Sequence, residues 1–167
     1  MAFRLERFAA RAILDHDNGR RCMFFDDLPV GFTFETGSRT LDEEEIIAFA
    51  RAHDPQPFHI DPEAARESIY GGIIASGFQT LIVAFDLILK ANIWTEASMG
   101  SPGLDGLRWK LPVRPGDTLR VRGRVIASEV SKSRPDRGRT TITYDILNQN
   151  DEVVSDYTAV QLLKRKG

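Results

Sequence analysis

Two titratable side chains on a proline-stiffened segment are the first candidates for chemistry. Asp54 and His59 stand five positions apart, with prolines at positions 55 and 57 between them. Proline fixes φ and pushes the preceding residue out of the α region, so residues 54–58 are expected to be extended or turned. An Asp/His pair aimed in this way can share one water, because one group removes a proton while a proton is delivered elsewhere. The alternative is structural: Asp54 caps the end of one helix and His59 packs beside the next.

Length and composition describe one globular domain. The 167 residues suffice for a substantial core, and 42% hydrophobic with 28% charged residues is typical of soluble proteins. A formal net charge of −2 argues against a nucleic-acid partner. The most apolar run, 81–89, contains Asp86 and is too short to span a membrane. A single cysteine, Cys22, excludes an intrachain disulfide and fits a cytoplasmic location.

Residues 1–22 need an interpretation of their own. Arginines alternate there with apolar residues, as in an amphipathic transit peptide, but Glu6, Asp15 and Asp17 count against a targeting role. Two alternatives stay open: a short helical N-terminal extension, or a start codon placed upstream of Met23. The folded domain is expected to span 23–167.

The first helices follow from capping patterns. After a short strand expected near 32–35, Thr40 and Glu43 have the form of a capping box that opens a helix. Asp54 and the proline after it end that helix. Asp61, followed directly by a proline, opens a short second helix.

The next helix decides the expected fold. Ser76 and Gln79 again have capping-box form, and the segment 78–91 is apolar almost all round. A helix that is hydrophobic on every side is a buried one, so something must wrap it. Four segments with strand character follow, at 107–111, 118–130, 139–147 and 153–163. The sequence therefore predicts an α+β fold, with an antiparallel sheet curled around one long buried helix.

The segment 49–65 resembles the signature of the MaoC-like dehydratases, which belong with the (R)-specific enoyl-CoA hydratases. The family pattern is Asp-x-Asn-Pro-aliphatic-His-x-Asp. The likeness continues through 75–77 and 113–119, and it covers most of residues 23–163. It implies a single hotdog fold, a long helix wrapped by an antiparallel sheet, in agreement with the order of elements.

The resemblance also implies an activity and assigns residues to it. Asp54 and His59 match the catalytic dyad of enzymes that add water reversibly to a trans-2-enoyl-CoA, giving a 3-hydroxyacyl-CoA with no cofactor beyond the thioester substrate. Which residue acts as base and which as acid stays open. Backbone N–H groups near Ser76 and Gly77 are candidates to stabilise the enolate oxygen, because they lie at a helix N-terminus. The alternative for Ser76 is a plain N-cap, and one residue can do both.

Three positions depart from the family pattern. Gln56 stands where the family has Asn, and it remains a candidate substrate-binding residue because both amides donate hydrogen bonds. Phe58 replaces an aliphatic residue and changes the bulk beside His59. His53 stands where the family has a small residue, and we interpret it as a helix-end residue.

Other clusters have competing interpretations. Arg134 and Arg137 lie in a basic hairpin that is either a clasp for coenzyme A phosphates or a solvated turn. The His and Asp residues of 53–61 match no metal-binding spacing, so no metal is expected. Trp109 is expected in the core rather than in the wall of an acyl pocket.

Two rival functions stay open beside the hydratase. One is a non-catalytic hotdog module that binds acyl-CoA or serves as a partner subunit, and the other is an acyl-CoA thioesterase. Retention of both Asp54 and His59 favours the hydratase. The resemblance further implies a homodimer, or a higher homo-oligomer, whose partner molecule is an acyl-CoA.

Overall fold

The computed structural model describes residues 22–167 and the backbone of residues 11–12, so the interpretation of the remaining N-terminal residues lies outside it. The strands are β1 (Arg11–Ala12), β2 (Thr33–Thr40), β3 (Leu104–Trp109), β4 (Thr118–Val130), β5 (Arg137–Leu147) and β6 (Val153–Lys164). The helices are α1 (Glu43–His53), α2 (Pro57–Ile60), α3 (Pro62–Glu67) and α4 (Gly77–Lys90), with a 3-10 turn at Phe25–Asp27.

One sheet contains all six strands, in the order β1-β2-β4-β5-β6-β3. Its pairings are antiparallel except that of β1 with β2. The pairing of β4 with β5 is irregular between Val125 and Ala127, and that of β5 with β6 is irregular between Ile146 and Leu147. Irregularities of this kind bend the paired strands. The α+β prediction is confirmed, and β4 has the predicted bounds. No helix in the described part of the chain is long and apolar enough to cross a membrane.

Helix α4 buries one face in the core that it forms with the sheet. Val83, Ala84, Leu87 and Ile88 belong to the same buried cluster as the inward-facing residues of β4 and β5. Full burial of a Val, Leu or Ile side chain contributes about 1.5–3 kcal/mol, so this face fixes the helix on the sheet.

The opposite face of α4 is exposed, so the expectation of burial on every side is wrong for the single chain. Phe78, Ile82, Phe85 and Leu89 are between 48% and 59% exposed. Their spacing places them on one side of the helix. We call these four residues the α4 stripe. The sheet covers only the side of α4 that faces it, and among the described residues the stripe stays exposed apart from the contact of Phe78 with Trp109.

The start of α1 differs from the prediction. Asp42 is the N-cap and its side chain accepts the Glu45 N–H, whereas Thr40 is the last residue of β2 and hydrogen-bonds Thr118 through its hydroxyl. The strand pairing of Thr40 with β4 keeps it extended and delays the helix by two residues.

The proline segment contains one helical turn, which corrects the expectation that residues 54–58 avoid helix. Asp54 (ψ 67°) and Gln56 (ψ 142°), which precede prolines, do avoid the α region. Pro57, however, occupies the first position of α2, where its missing N–H costs no hydrogen bond. The predicted cap at Asp61 is confirmed, because its carboxylate accepts the Glu63 and Ala64 N–H groups.

Candidate active site

A pocket of about 400 Å³ opens where α2, the start of α4 and the end of β3 come together. Asp54, Gln56, His59 and Gly77 all line it. The structure therefore brings together most of the residues that the sequence singled out, although they come from separate segments of the chain.

Asp54 ends α1 and has both carboxylate oxygens occupied. Its Oδ2 accepts the Ser76 hydroxyl at 2.6 Å, and its Oδ1 accepts the Gln56 side-chain amide at 2.8 Å. These hydrogen bonds, the one from Ser76 above all, lower the pKa of Asp54, and His59 adds a smaller electrostatic effect in the same direction. Partial burial opposes the shift without cancelling it. Asp54 is therefore a carboxylate at neutral pH.

His59 lies in α2 and is buried, with only 5% of its side chain exposed. Its Nδ1 lies 2.7 Å from the carbonyl oxygen of Ile74, which can only accept, so Nδ1 carries a hydrogen. In the neutral ring, Nε2 then has a free lone pair. Nε2 lies 3.4 Å from Asp54 Oδ2, so a base and a carboxylate lie side by side at the pocket.

Ser76 is the N-cap of α4 and also hydrogen-bonds Asp54. It is fully buried; its oxygen accepts the Phe78 N–H at 3.2 Å while its hydroxyl donates to Asp54. That proton is committed to Asp54, so Ser76 acts by positioning the carboxylate.

Gly77, the first residue of α4, lies under the indole of Trp109. A Cβ at this position would overlap the indole ring, so only glycine allows this close approach. The N–H groups of a first helical turn have no partners within the helix, and Gly77 presents this end of α4 at the pocket.

Two aromatic pairs, Phe58 with Tyr70 and Trp109 with Phe78, form walls of the pocket. Phe58 packs edge-on against the His59 ring, with centroids 4.5 Å apart, and also against Tyr70 at 5.1 Å. Trp109 packs against Phe78 at 5.8 Å. Trp109 is 51% exposed and lines the pocket, so its assignment to the core is wrong. Tyr70 precedes a pair of glycines, which gave no indication of a pocket residue.

The remaining candidates lie elsewhere in the single chain. Arg134 and Arg137 occupy the hairpin between β4 and β5, about 34 Å along β5 from the end nearest the pocket, and Arg137 pairs with Asp136. His53 is the exposed last residue of α1 and packs on Phe49, as expected of a helix-end residue. Among the described residues, no group of three or more His, Cys, Asp or Glu side chains could hold a metal ion.

The chain matches a known family of proteins. Residues 28–146 match the model of the MaoC like domain. The chain belongs to the MaoC-like dehydratase family. The crystal structure of a MaoC-like dehydratase from Rhodospirillum rubrum superimposes with a TM-score of 0.79 at 41% identity, covering 87% of this chain and 99% of that one.

Two further comparisons concern fold and chemistry. A Mycobacterium tuberculosis protein described as a double hotdog fold matches with a TM-score of 0.73 at 20% identity, over 87% of this chain and 45% of that chain. The predicted hotdog fold is thereby confirmed. The 3-hydroxybutyryl-CoA dehydratase of Methylorubrum extorquens is 28% identical over 151 residues, which are 87% of each chain. Dehydratases are thus among the relatives of this chain.

Proposed function

We propose that this protein is a hydratase that adds water reversibly to a trans-2-enoyl-CoA or related acyl thioester, giving a 3-hydroxyacyl-CoA. The observation that carries the proposal is the placement of Asp54 Oδ2 and His59 Nε2, 3.4 Å apart at one pocket beside the first turn of α4. The name of one relative, 3-hydroxybutyryl-CoA dehydratase, indicates that this relative acts on a 3-hydroxyacyl-CoA thioester.

The two side chains divide the work of holding and ionising one water. The lowered pKa of Asp54 keeps it a carboxylate, so it accepts one hydrogen of the water and orients it. The Nε2 lone pair of His59 accepts the other. As the water oxygen bonds to C3, Nε2 takes that proton and the electrons of the C2=C3 bond move onto the thioester oxygen. The imidazolium then returns the proton to C2 on the same face, which leaves both side chains as they began.

The enolate oxygen formed in this step needs a hydrogen-bond donor. The backbone N–H of Gly77 is our candidate, because it lies at the positive end of α4 and at the pocket. Trp109 covers Gly77 and limits the access of bulk water to this donor. A donor in a water-poor site stabilises a developing charge more strongly than one in bulk solvent. The reaction requires no cofactor.

We further propose that the protein works in the cytoplasm as a homodimer joined through the exposed edge of β3. β3 ends the sheet, and the α4 stripe would be covered by the partner's stripe. A two-fold axis between antiparallel β3 strands would bring the partner's hairpin to the pocket end of this chain. Arg134 and Arg137 of that hairpin would then be placed to contact the phosphates of coenzyme A.

A direct assay tests the hydratase. Wild-type protein is incubated with crotonyl-CoA and longer trans-2-enoyl-CoAs, and the loss of enoyl absorbance is followed. Asp54→Asn and His59→Gln should each lower the rate by about 10²–10⁴-fold, as expected for acid–base groups. The matched control is His53→Gln, an exposed histidine six positions from His59, which should retain wild-type activity.

Three other outcomes would contradict the proposal. Activity that survives both site substitutions would remove the dyad assignment. Release of free thiol without hydration would show a thioesterase, and acyl-CoA binding without turnover of any enoyl-CoA would show a binding module.

A further inference from the structure

The pocket wall beside His59 is formed by two aromatic side chains, Phe58 and Tyr70. The Phe58 ring meets the His59 ring edge-on, at a centroid distance of 4.5 Å, and the Tyr70 ring lies 5.1 Å from Phe58. Both aromatic residues line the pocket. Beyond the imidazole, a molecule in the pocket therefore meets these two rings.

The two ends of the pocket can be told apart by the groups that react. The thioester oxygen belongs beside Gly77, which is covered by Trp109 on the β3 edge. C3 belongs beside His59, and the carbons after C3 continue away from the thioester. They consequently point toward Phe58 and Tyr70, while the coenzyme A end leaves along the Trp109 side.

The loop that carries Tyr70 is fastened on both sides of the residue. The Tyr70 N–H donates to the Ser68 hydroxyl at 3.1 Å, and the Tyr70 carbonyl accepts from Arg114 Nη2 at 2.6 Å. Arg114 is itself held, because its N–H donates to the Asp117 carboxylate at 2.7 Å. Gly71 follows with φ +65°, a conformation that suits glycine and turns the chain away. The Tyr70 backbone is therefore held in place, and its ring packs on Phe58.

We propose that Phe58 and Tyr70 close the acyl end of the site and make the enzyme favour short enoyl groups such as crotonyl over long ones. Phe58 packs against the hydrophobic core and Tyr70 packs on Phe58, so a longer chain would overlap these rings and have to displace them from that packing. The inference rests on the proposed hydratase function and specifies its substrate class.

The test compares specificity constants for crotonyl-CoA and trans-2-decenoyl-CoA. Wild-type protein should strongly prefer crotonyl-CoA. Tyr70→Ala should raise the decenoyl-to-crotonyl ratio of kcat/KM by about tenfold or more, since apolar pockets discriminate by that order for each misfit methylene. Phe58→Leu, which restores an aliphatic side chain, should shift the ratio in the same direction.

Two controls separate the ring from other effects. Tyr70→Phe keeps the ring and should keep the wild-type ratio. Ile69→Ala changes the same loop at a side chain that is 94% exposed, and it should leave activity unchanged. An unchanged ratio in folded Tyr70→Ala and Phe58→Leu proteins, or a wild-type protein that uses decenoyl-CoA as well as crotonyl-CoA, would overturn the inference while the hydratase stands.

A binding measurement keeps the inference testable if no enoyl-CoA is hydrated. Calorimetric titration with butyryl-CoA and decanoyl-CoA reports the pocket without turnover. If no enoyl-CoA is hydrated, the proposed hydratase function is contradicted. A higher affinity of Tyr70→Ala than of wild type for decanoyl-CoA would still support the closed acyl end. No such gain, or no binding of either thioester, overturns it.

Discussion

The Ser76 hydroxyl donates a 2.6 Å hydrogen bond to Asp54 Oδ2, the same oxygen that faces His59 Nε2. One buried hydroxyl thus fixes both the charge and the direction of the carboxylate. Because Ser76 also caps α4, the position of Asp54 is tied to the N-terminus of the helix that presents Gly77.

Ser76→Ala should raise the pKa of Asp54 toward its ordinary value and lower hydratase activity. The hydrogen bond that holds the carboxylate ionised would be lost, and with it about 1–3 kcal/mol of stability. NMR titration of the Asp54 carboxyl, together with the pH profile of kcat/KM, measures the effect. Thr140→Val is the control, because it removes a buried hydroxyl that has no partner.

The stability change in Ser76→Ala should depend on pH. A carboxyl whose pKa is lowered by folding stabilises the native state at pH values above its pKa in the unfolded chain, about 3.9. This stabilisation is lost as pH falls through the pKa of the folded protein. The difference in unfolding free energy between wild type and Ser76→Ala should therefore be largest near neutral pH and narrow below about pH 4. Urea unfolding across pH 3–7 checks this, and a constant difference would contradict it.

Gly77→Ala should displace the Trp109 indole and reduce activity. The added Cβ overlaps the ring, and overpacking of this kind costs about 1–3 kcal/mol. Trp109→Ala in the same protein should recover part of the lost stability, which a double-mutant cycle measures. Gly72→Ala is the matched control, since a Cβ there meets only the Arg114 side chain at 3.6 Å.

Phe85→Glu should convert the proposed dimer into monomers. The α4 stripe would then place a charge from each chain at the covered apolar face, where an unpaired charge is strongly disfavoured. Sedimentation velocity measures the mass. Val30→Glu alters another exposed apolar residue outside the stripe and should leave the mass unchanged. A wild-type protein that is monomeric at all concentrations would contradict the dimer.

Tyr144 and Tyr157 should make the fold sensitive to alkali. Their rings stack at 4.7 Å, and burial raises the pKa of both hydroxyls well above the usual range. A tyrosine whose pKa is raised by folding contributes to the unfolding free energy. That contribution is fully present below the pKa of about 10 in the unfolded chain, and it is lost as pH rises above this pKa. Unfolding free energies between pH 8 and 11 should fall less steeply in Tyr144→Phe than in wild type.

Much of the fold was predictable because local patterns and the global structure agree. Strand alternation located β4, and the caps at Asp61 and Ser76 are where side chains with the right chemistry precede helical segments. The predicted cap at Thr40 was wrong because its spacing to a glutamate does not distinguish it from Asp42, which also stands three residues before one. Pairing of Thr40 with β4, which lies far along the chain, decides between them.

The site was predictable only in its local part. Asp54 and His59 are neighbours along the chain, whereas Tyr70 and Trp109 approach them through the folding of distant segments. Apolar character all round α4 could not say which face meets the sheet and which meets solvent or another chain, because both surfaces favour the same residues.

The groups assigned to the chemistry all lie between Asp54 and Gly77, while β3, the segment after it and the start of β6 supply other walls of the pocket. Apart from Trp109, which packs on Gly77, the walls from β3 onward can therefore change without altering the reacting groups. Substitutions in the strands and connecting segments would let descendants of one ancestral catalyst diverge toward new substrates, with the inherited reacting groups unchanged. Redesign of this protein for a thioester that it does not now accept can therefore begin at those walls for the coenzyme A end of the substrate, and at Phe58 and Tyr70 for its acyl end.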